Sequence, residues 1–157
     1  MDRRDLLFRN LDDAVADCKM LSESGYVRNG NWSLGQICLH MRLTIDANMD
    51  GYPLWMSVGL PLRPVLRKFL LPRLLRGDSP TGLKTAGIFV PPADANDLTE
   101  IEAFAKCVDR FHSHSGRLYP HPGFGRLPKD EFEQFHAAHT SHHLSFLAPR
   151  TEDDSSN

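Results

Sequence analysis

The 157-residue sequence has few cysteines, no strong charge of either sign and no uninterrupted apolar run. Its three cysteines, Cys18, Cys38 and Cys107, lie far apart, which excludes a disulfide framework and a thiolate zinc knuckle and is typical of the reducing cytoplasm. The 18 basic and 20 acidic residues give a formal net charge of −2. This balance argues against bulk electrostatic binding to nucleic acid, so we expect no nucleic-acid partner.

The sequence also lacks the usual targeting and nucleotide-binding patterns. The most apolar stretch, residues 54–75, contains three prolines and four basic residues. A transmembrane helix needs about 20 mostly apolar residues, so we predict no membrane-spanning segment. The first residues have no apolar core or cleavage site typical of a signal peptide. Neither a Walker loop nor a Gly-x-Ser-x-Gly elbow occurs.

Helical periodicity is the strongest pattern that is present. Apolar residues recur at spacings of three and four in four segments, which predicts amphipathic helices. Ser33 with Gln36, and Thr99 with Glu102, form capping-box patterns at two predicted starts, and Pro128 suits the first turn of another. The four predicted helices cover residues 4–21, 34–50, 100–114 and 128–148.

The region between the second and third predicted helices is less regular. Residues 63–76 fit one or two short basic helices broken near Pro72, residues 78–82 fit a turn, and residues 81–92 fit an extended loop. With no convincing strand, the pattern predicts an all-α bundle with an elaborated crossover. We expect residues 1–150 to form one domain and residues 151–157 a disordered tail.

Half of the eight histidines lie in one short window, at positions 136, 139, 142 and 143. His139 and His143 are four residues apart, so on a helix they point the same way and could share a metal ion. His40, at the edge of the buried stripe of the second helix, is the best candidate for a third ligand. Three neutral histidines leave a coordination position open, which is the catalytic pattern. The alternatives are a solvated His-rich helix end and, for His40, an ordinary boundary histidine.

The sequence also contains part of a different metal-binding pattern. Glu133-x-x-His136 matches the Glu-x-x-His unit of di-iron bundles. Such a site needs a second copy and two further Glu residues, and the nearest second unit is Asp109-x-x-His112. The carboxylate count therefore argues against a di-iron site.

Several short motifs, taken in order, resemble the DinB/YfiT-like superfamily. The run from Asn31 to His40 is similar to the entry of its second helix, and the run from His139 to Leu144 is similar to its last helix. His121-Pro122-x-Phe124-Gly125-x-Leu127 resembles one bacterial branch that is a domain of unknown function. The resemblance covers most of the chain, least clearly residues 53–92.

The resemblance implies a fold and a site. It implies an up-down-down-up four-helix bundle, commonly a homodimer, with the crossover between helices 2 and 3. It also implies a three-His site for nickel or zinc, carried over onto His40, His139 and His143. Characterised members include transferases and isomerases that use low-molecular-weight thiols.

Other residues near this site have open roles. His142 lies about 100° around the helix from His143, so it should not share the metal ion. His136 is the best candidate for a general base, although it could equally line the pocket or face solvent. The loop at His121 could lie over the metal ion or could simply form a rigid turn.

Two functions of different classes follow. The first is a metal-dependent enzyme whose Lewis acid promotes thiol transfer or hydrolysis of a small molecule. The alternative is a non-catalytic dimeric binding or stress-associated module. In that case residues 54–75 would form a partner surface or a lipid-facing helix, rather than a crossover that covers one end of the bundle.

Overall fold

The computed structural model describes residues 3–57, 61–79 and 86–150, and most of them are helical. Residues 80–82 of the turn predicted for 78–82, residues 81–85 of the loop predicted for 81–92 and the predicted tail at 151–157 lie outside these ranges. The described elements are α1 (Leu11–Ser24), β1 (Tyr26–Arg28), α2 (Leu34–Asp50), α3 (Leu54–Ser57), α4 (Arg63–Val65), α5 (Leu71–Leu75), α6 (Asp97–Ser113), α7 (Lys129–Leu144) and β2 (Leu147–Pro149).

Helix α2 has the predicted boundaries and the predicted capping box. The Ser33 hydroxyl accepts a hydrogen bond from the Gln36 backbone N–H, and the Gln36 side chain accepts one from the Ser33 N–H. These bonds satisfy two of the free N–H groups at the helix start. The predicted apolar stripe is buried throughout, at Leu34, Ile37, Cys38, Met41 and Ile45.

Helix α1 starts later than predicted. The helix was expected from residue 4, but it begins at Leu11 because the Asn10 side chain caps it, accepting from the Asp13 N–H. Leu7, which matched the helical spacing, is 50% exposed, whereas Leu11 and Leu21 are fully buried. The prediction was wrong over the first turns because a local cap competed with the apolar spacing.

The ends of α6 and α7 also differ from the predictions. Helix α6 begins at Asp97, capped by Asn96 rather than Thr99, which leaves Thr99 as the donor to the Asn96 side chain. Helix α7 ends at Leu144 instead of residue 148. The residues that follow form β2, which pairs antiparallel with β1, Tyr26 opposite Pro149 and Arg28 opposite Leu147.

The crossover contains short helical pieces. Between α4 and α5, residues Leu66–Leu70 form a π-helical turn, and Pro72 lies at the start of α5, near the predicted break. A 3₁₀ turn at Gly87–Phe89 replaces part of the extended loop predicted for 81–92. Leu71 is buried against the core, so the described part of the crossover packs on the helices beneath it.

The long helices pack around a common apolar core, consistent with a helical bundle. Helix α2 packs along α6, while α1 contacts α2, α6 and α7, and α7 also contacts α5. At Gly35, α2 lies close to the start of α6: a Cβ there would be 2.8 Å from the Ala95 carbonyl oxygen. Within the described ranges, no helix combines the length and apolar character needed to cross a membrane.

Candidate metal centre

Three histidines from two helices meet at one point. His40 on α2 and His139 and His143 on α7 each offer a ring nitrogen, and these nitrogens lie within 4.8 Å of one another. The Nε2 atoms of His139 and His143 are 3.0 Å apart, and those of His40 and His139 are 3.5 Å apart. The structure thus brings together the three residues singled out in the sequence.

His40 is held in one tautomer. Its ring is 1% exposed, and its Nδ1 lies 2.8 Å from the Phe89 carbonyl oxygen. A carbonyl can only accept, so Nδ1 carries the proton and Nε2 presents a lone pair to the other two rings. A carbonyl partner on the second ring nitrogen is the usual support of a metal-binding histidine.

Burial keeps the three rings neutral. It lowers the pKa of His40, and it lowers the pKa values of His139 and His143 well below the ordinary range, with a further contribution from the neighbouring imidazoles. Neutral imidazole is the form that binds metal ions.

Aromatic rings fix the positions of the histidine rings. Trp32 stacks on His143 with ring centroids 5.1 Å apart and also contacts His40. Phe135 stacks on His139 at 5.8 Å. The buried Nδ1 of His139 has no hydrogen-bond partner among the described residues, so stacking is what holds that ring.

The donor set fits a divalent metal ion. Tetrahedral coordination with bonds of about 2.0–2.1 Å places ligand nitrogens about 3.3 Å apart. The His139–His143 and His40–His139 separations of 3.0 and 3.5 Å lie on either side of that value, and all three nitrogens are within 4.8 Å of one another. Because the His40 proton is on Nδ1, its Nε2 directs a lone pair at the other two rings, and a cation placed between the rings would accept it.

A family model described as "Protein of unknown function (DUF1569)" matches residues 1–150. The chain belongs to the DUF1569 family. No curated protein and no solved structure matches it significantly.

A cavity of about 350 Å³ adjoins the three-His cluster of this DUF1569 protein. All three histidines line it, together with side chains from the crossover and from the loop before α7. The crossover therefore forms one wall of the site. The residues contributed by these other segments include Met56, Leu70, Leu74, Phe89, His121 and Phe124.

His136, the predicted general base, also lines the cavity but is engaged elsewhere. It is 0% exposed, and its Nε2 donates to the Asn48 side-chain oxygen at 2.5 Å. Burial lowers its pKa to about 3, which makes it a weak base near neutral pH. Its catalytic role remains a prediction, and the hydrogen bond to Asn48 gives it a structural one.

The loop at His121 forms a rigid turn, which was one of its two open roles, and it also lines the cavity. His121 Nδ1 accepts from the backbone N–H groups of Gly123 and Phe124, which makes a rigid turn, and the ring stacks on Phe124 at 4.7 Å. The same ring lines the cavity. The loop is therefore a fixed wall beside the cluster.

Two further expectations concern residues outside the cluster. His142 is not among the grouped residues, and its Nδ1 lies 3.3 Å from an Arg3 nitrogen. Glu133 pairs with His112 at 2.8 Å, so it does not join His136 in a second metal site. Among the described residues, the three-His group is the metal-capable cluster found.

The sequence did not reveal the supporting residues. Trp32 was visible only as part of a motif, and the Phe89 carbonyl and the crossover side chains gave no signal. Each acts through contacts between segments distant in sequence. A histidine that faces a backbone carbonyl 49 residues away leaves no local pattern.

Proposed function

We propose that this protein is a metal-dependent enzyme that acts on a small molecule and binds a divalent metal ion through His40, His139 and His143. The observation that carries the proposal is the convergence of three neutral imidazoles, one buried and two part-buried, at the wall of a cavity. Three protein ligands leave room for a substrate atom, as in catalytic rather than structural sites.

A bound divalent ion would supply a Lewis acid that polarises a carbonyl oxygen or lowers the pKa of a thiol or of water. The three histidines hold it, and the Phe89 carbonyl, Trp32 and Phe135 orient their rings. Apolar side chains line much of the cavity beside them. Thiol transfer and hydrolysis are the reaction classes that we propose, with zinc or nickel as the metal.

Metal content tests this proposal directly. The untagged chain is purified without a metal column, incubated with zinc or nickel, desalted and analysed by mass spectrometry beside His40→Ala and His143→Ala. We expect near-stoichiometric metal in the wild type and its loss in both variants, with circular dichroism unchanged.

His142→Ala is the matched control, since this residue adjoins His143 on α7 and lines the same cavity but lies outside the cluster. It should retain the metal ion. A wild type that binds no metal, or variants that retain it, would overturn the assignment.

We also infer a wider context for this site. The family membership and the three-His cluster support placement in the DinB/YfiT-like superfamily, with an up-down-down-up order of α1, α2, α6 and α7. Residues 1–150 would form one domain, and the cytoplasm would be its location because its three cysteines are free thiols. Limited proteolysis followed by mass mapping tests the domain boundary.

A second candidate is a non-catalytic dimeric binding module, favoured by an apolar surface on the crossover. Its exposed side chains are Leu54, Trp55, Leu62, Val65 and Phe69. If this surface joins two copies, Phe69→Gln should convert a dimer to a monomer in size-exclusion light scattering. Met20→Gln, at an exposed apolar position on α1, is the control, and a monomeric wild type would exclude this dimer.

A further inference from the structure

The cavity beside the three-His cluster has an uncharged lining. Among the described residues, no Asp, Glu, Lys or Arg side chain lines it. Its apolar side chains are both aliphatic and aromatic: Met56, Leu70, Leu74, Phe89, Phe124 and Phe135.

The nearest basic residues of the crossover are engaged outside the cavity. Arg63 donates from Nε to the Pro122 carbonyl oxygen at 2.7 Å, and Arg67 donates to the Arg126 carbonyl oxygen at 2.9 Å. These bonds fix the crossover to the loop before α7. Neither arginine is among the residues that line the cavity.

Several polar groups in the lining are already satisfied within the protein. The Thr44 hydroxyl donates to the Met41 carbonyl oxygen, and His121 Nδ1 accepts from two backbone N–H groups. These polar groups therefore have partners within the protein, whereas the three-His cluster gathers three ring nitrogens at one point of the lining.

We propose that the cavity binds an uncharged, largely apolar molecule that carries one sulfur or oxygen donor directed at the three-His cluster. A charged group held against this lining, away from the metal ion, would lose its hydration without gaining a counter-ion, which is strongly unfavourable. The inference that the ligand carries a donor atom rests on the proposed metal site. The inference that the rest of the ligand is apolar rests on the cavity lining alone.

The cavity volume sets the size class. An apolar cavity of ~150 Å³ binds benzene, and this cavity, at about 350 Å³, accommodates a ring with a substituent. Among thiols, we therefore expect an apolar alkyl or aryl thiol to bind. Zwitterionic peptide thiols do not fit an uncharged lining.

The first experiment tests whether the cavity binds an apolar molecule when no metal ion is present. The full chain, stripped with a chelator, is titrated with 4-fluorotoluene and, separately, with 4-fluorobenzoate, and binding is followed by fluorine NMR. We expect 4-fluorotoluene to bind at least tenfold more tightly. Equal affinities, or tighter binding of the carboxylate, would overturn the proposal.

Variants locate the binding. Leu74→Asp should abolish 4-fluorotoluene binding, and Leu74→Met should preserve it, because Leu74 lines the cavity. Phe69→Asp is the matched control, since Phe69 is exposed on the same segment. If Leu74→Asp does not fold, the comparison of the two probes on the wild type still decides the question.

The second experiment tests the donor. Cobalt-loaded protein is titrated with 4-fluorobenzyl thiol and with glutathione, and binding is read from the cobalt absorption spectrum. We expect the apolar thiol to bind at least tenfold more tightly than glutathione. Glutathione binding as tightly would overturn the substrate class while leaving the metal site intact. A chain that takes up no metal but binds 4-fluorotoluene would overturn the proposed function and leave the apolar site standing.

Discussion

Asn48 offers a sharp test of how the interior beside the site is held together. It lies on α2 and is 0% exposed. Its side-chain oxygen accepts from His136 Nε2 at 2.5 Å, and its side-chain nitrogen donates to the Tyr119 carbonyl oxygen at 3.2 Å. One amide thus connects α2 to α7 and to the loop that follows α6.

Asn48→Ala removes both bonds. The His136 N–H is then buried without an acceptor, and its other ring nitrogen already has no partner among the described residues. An unsatisfied buried polar group costs about 1–3 kcal/mol. The Tyr119 carbonyl contributes less because that residue is half exposed. We therefore expect the free energy of unfolding to fall by about 2–4 kcal/mol.

Urea denaturation of the chelator-treated protein at neutral pH measures this change. Thr44→Val is the control on the same helix, because the Thr44 hydroxyl donates only to the Met41 carbonyl of its own helix. It should cost well under about 1 kcal/mol. If Asn48→Ala cost no more than Thr44→Val, the reasoning from buried hydrogen bonds would be refuted.

Two further predictions concern packing and pH. Gly35→Ala places a Cβ 2.8 Å from the Ala95 carbonyl oxygen, so α2 must move away from the start of α6. We expect the free energy of unfolding, measured by thermal and urea denaturation, to fall by about 1–3 kcal/mol. An unchanged stability would contradict this close approach. Burial lowers the pKa of His136 to about 3, whereas its pKa in the unfolded chain is about 6.5. Between these pH values the unfolded state binds one more proton at this residue than the folded state does. The free energy of unfolding therefore falls by about 1.4 kcal/mol for each pH unit of acidification. His136→Gln should remove that component from the pH dependence of urea unfolding, and an unaltered slope would show that His136 is not the group being protonated.

Elements with local signals were predicted well from the sequence. For α2, the cap at Ser33, the apolar stripe and the final Gly51 all act within one or two turns, and both boundaries were correct. The start of α1 was missed because two local signals conflicted: Leu7 continued the apolar spacing, while Asn10 capped the helix. Propensity and spacing alone could not decide between them.

Features that depend on distant contacts could not be predicted. The strands β1 and β2 are three residues each, too short for an alternating pattern, and each exists because the other is there to pair with it. The end of α7 was missed for the same reason, since Leu147 and Ala148 belong to that pairing. Likewise, the cavity exists only because the crossover folds over α7, which no local pattern in residues 53–92 indicates.

The site itself shows where spacing stops being informative. On α7, His136 and His143 are seven residues apart and His139 lies between them, so at about 100° per residue all three fall near one face. Spacing alone cannot say which of them would share a metal ion. The residue that faces each histidine from α2 decides this. His40 faces His139 and His143. Asn48 lies about 12 Å further along the axis of α2 and faces His136. Since contacts that advance along α2 run backwards along α7, the two helices lie in opposite directions here. Where a histidine faces other histidines, ring nitrogens converge on one point that a cation can occupy. Where a histidine faces an amide, the facing ring nitrogen already has its acceptor. One helix face therefore holds both a candidate metal centre and a structural hydrogen bond.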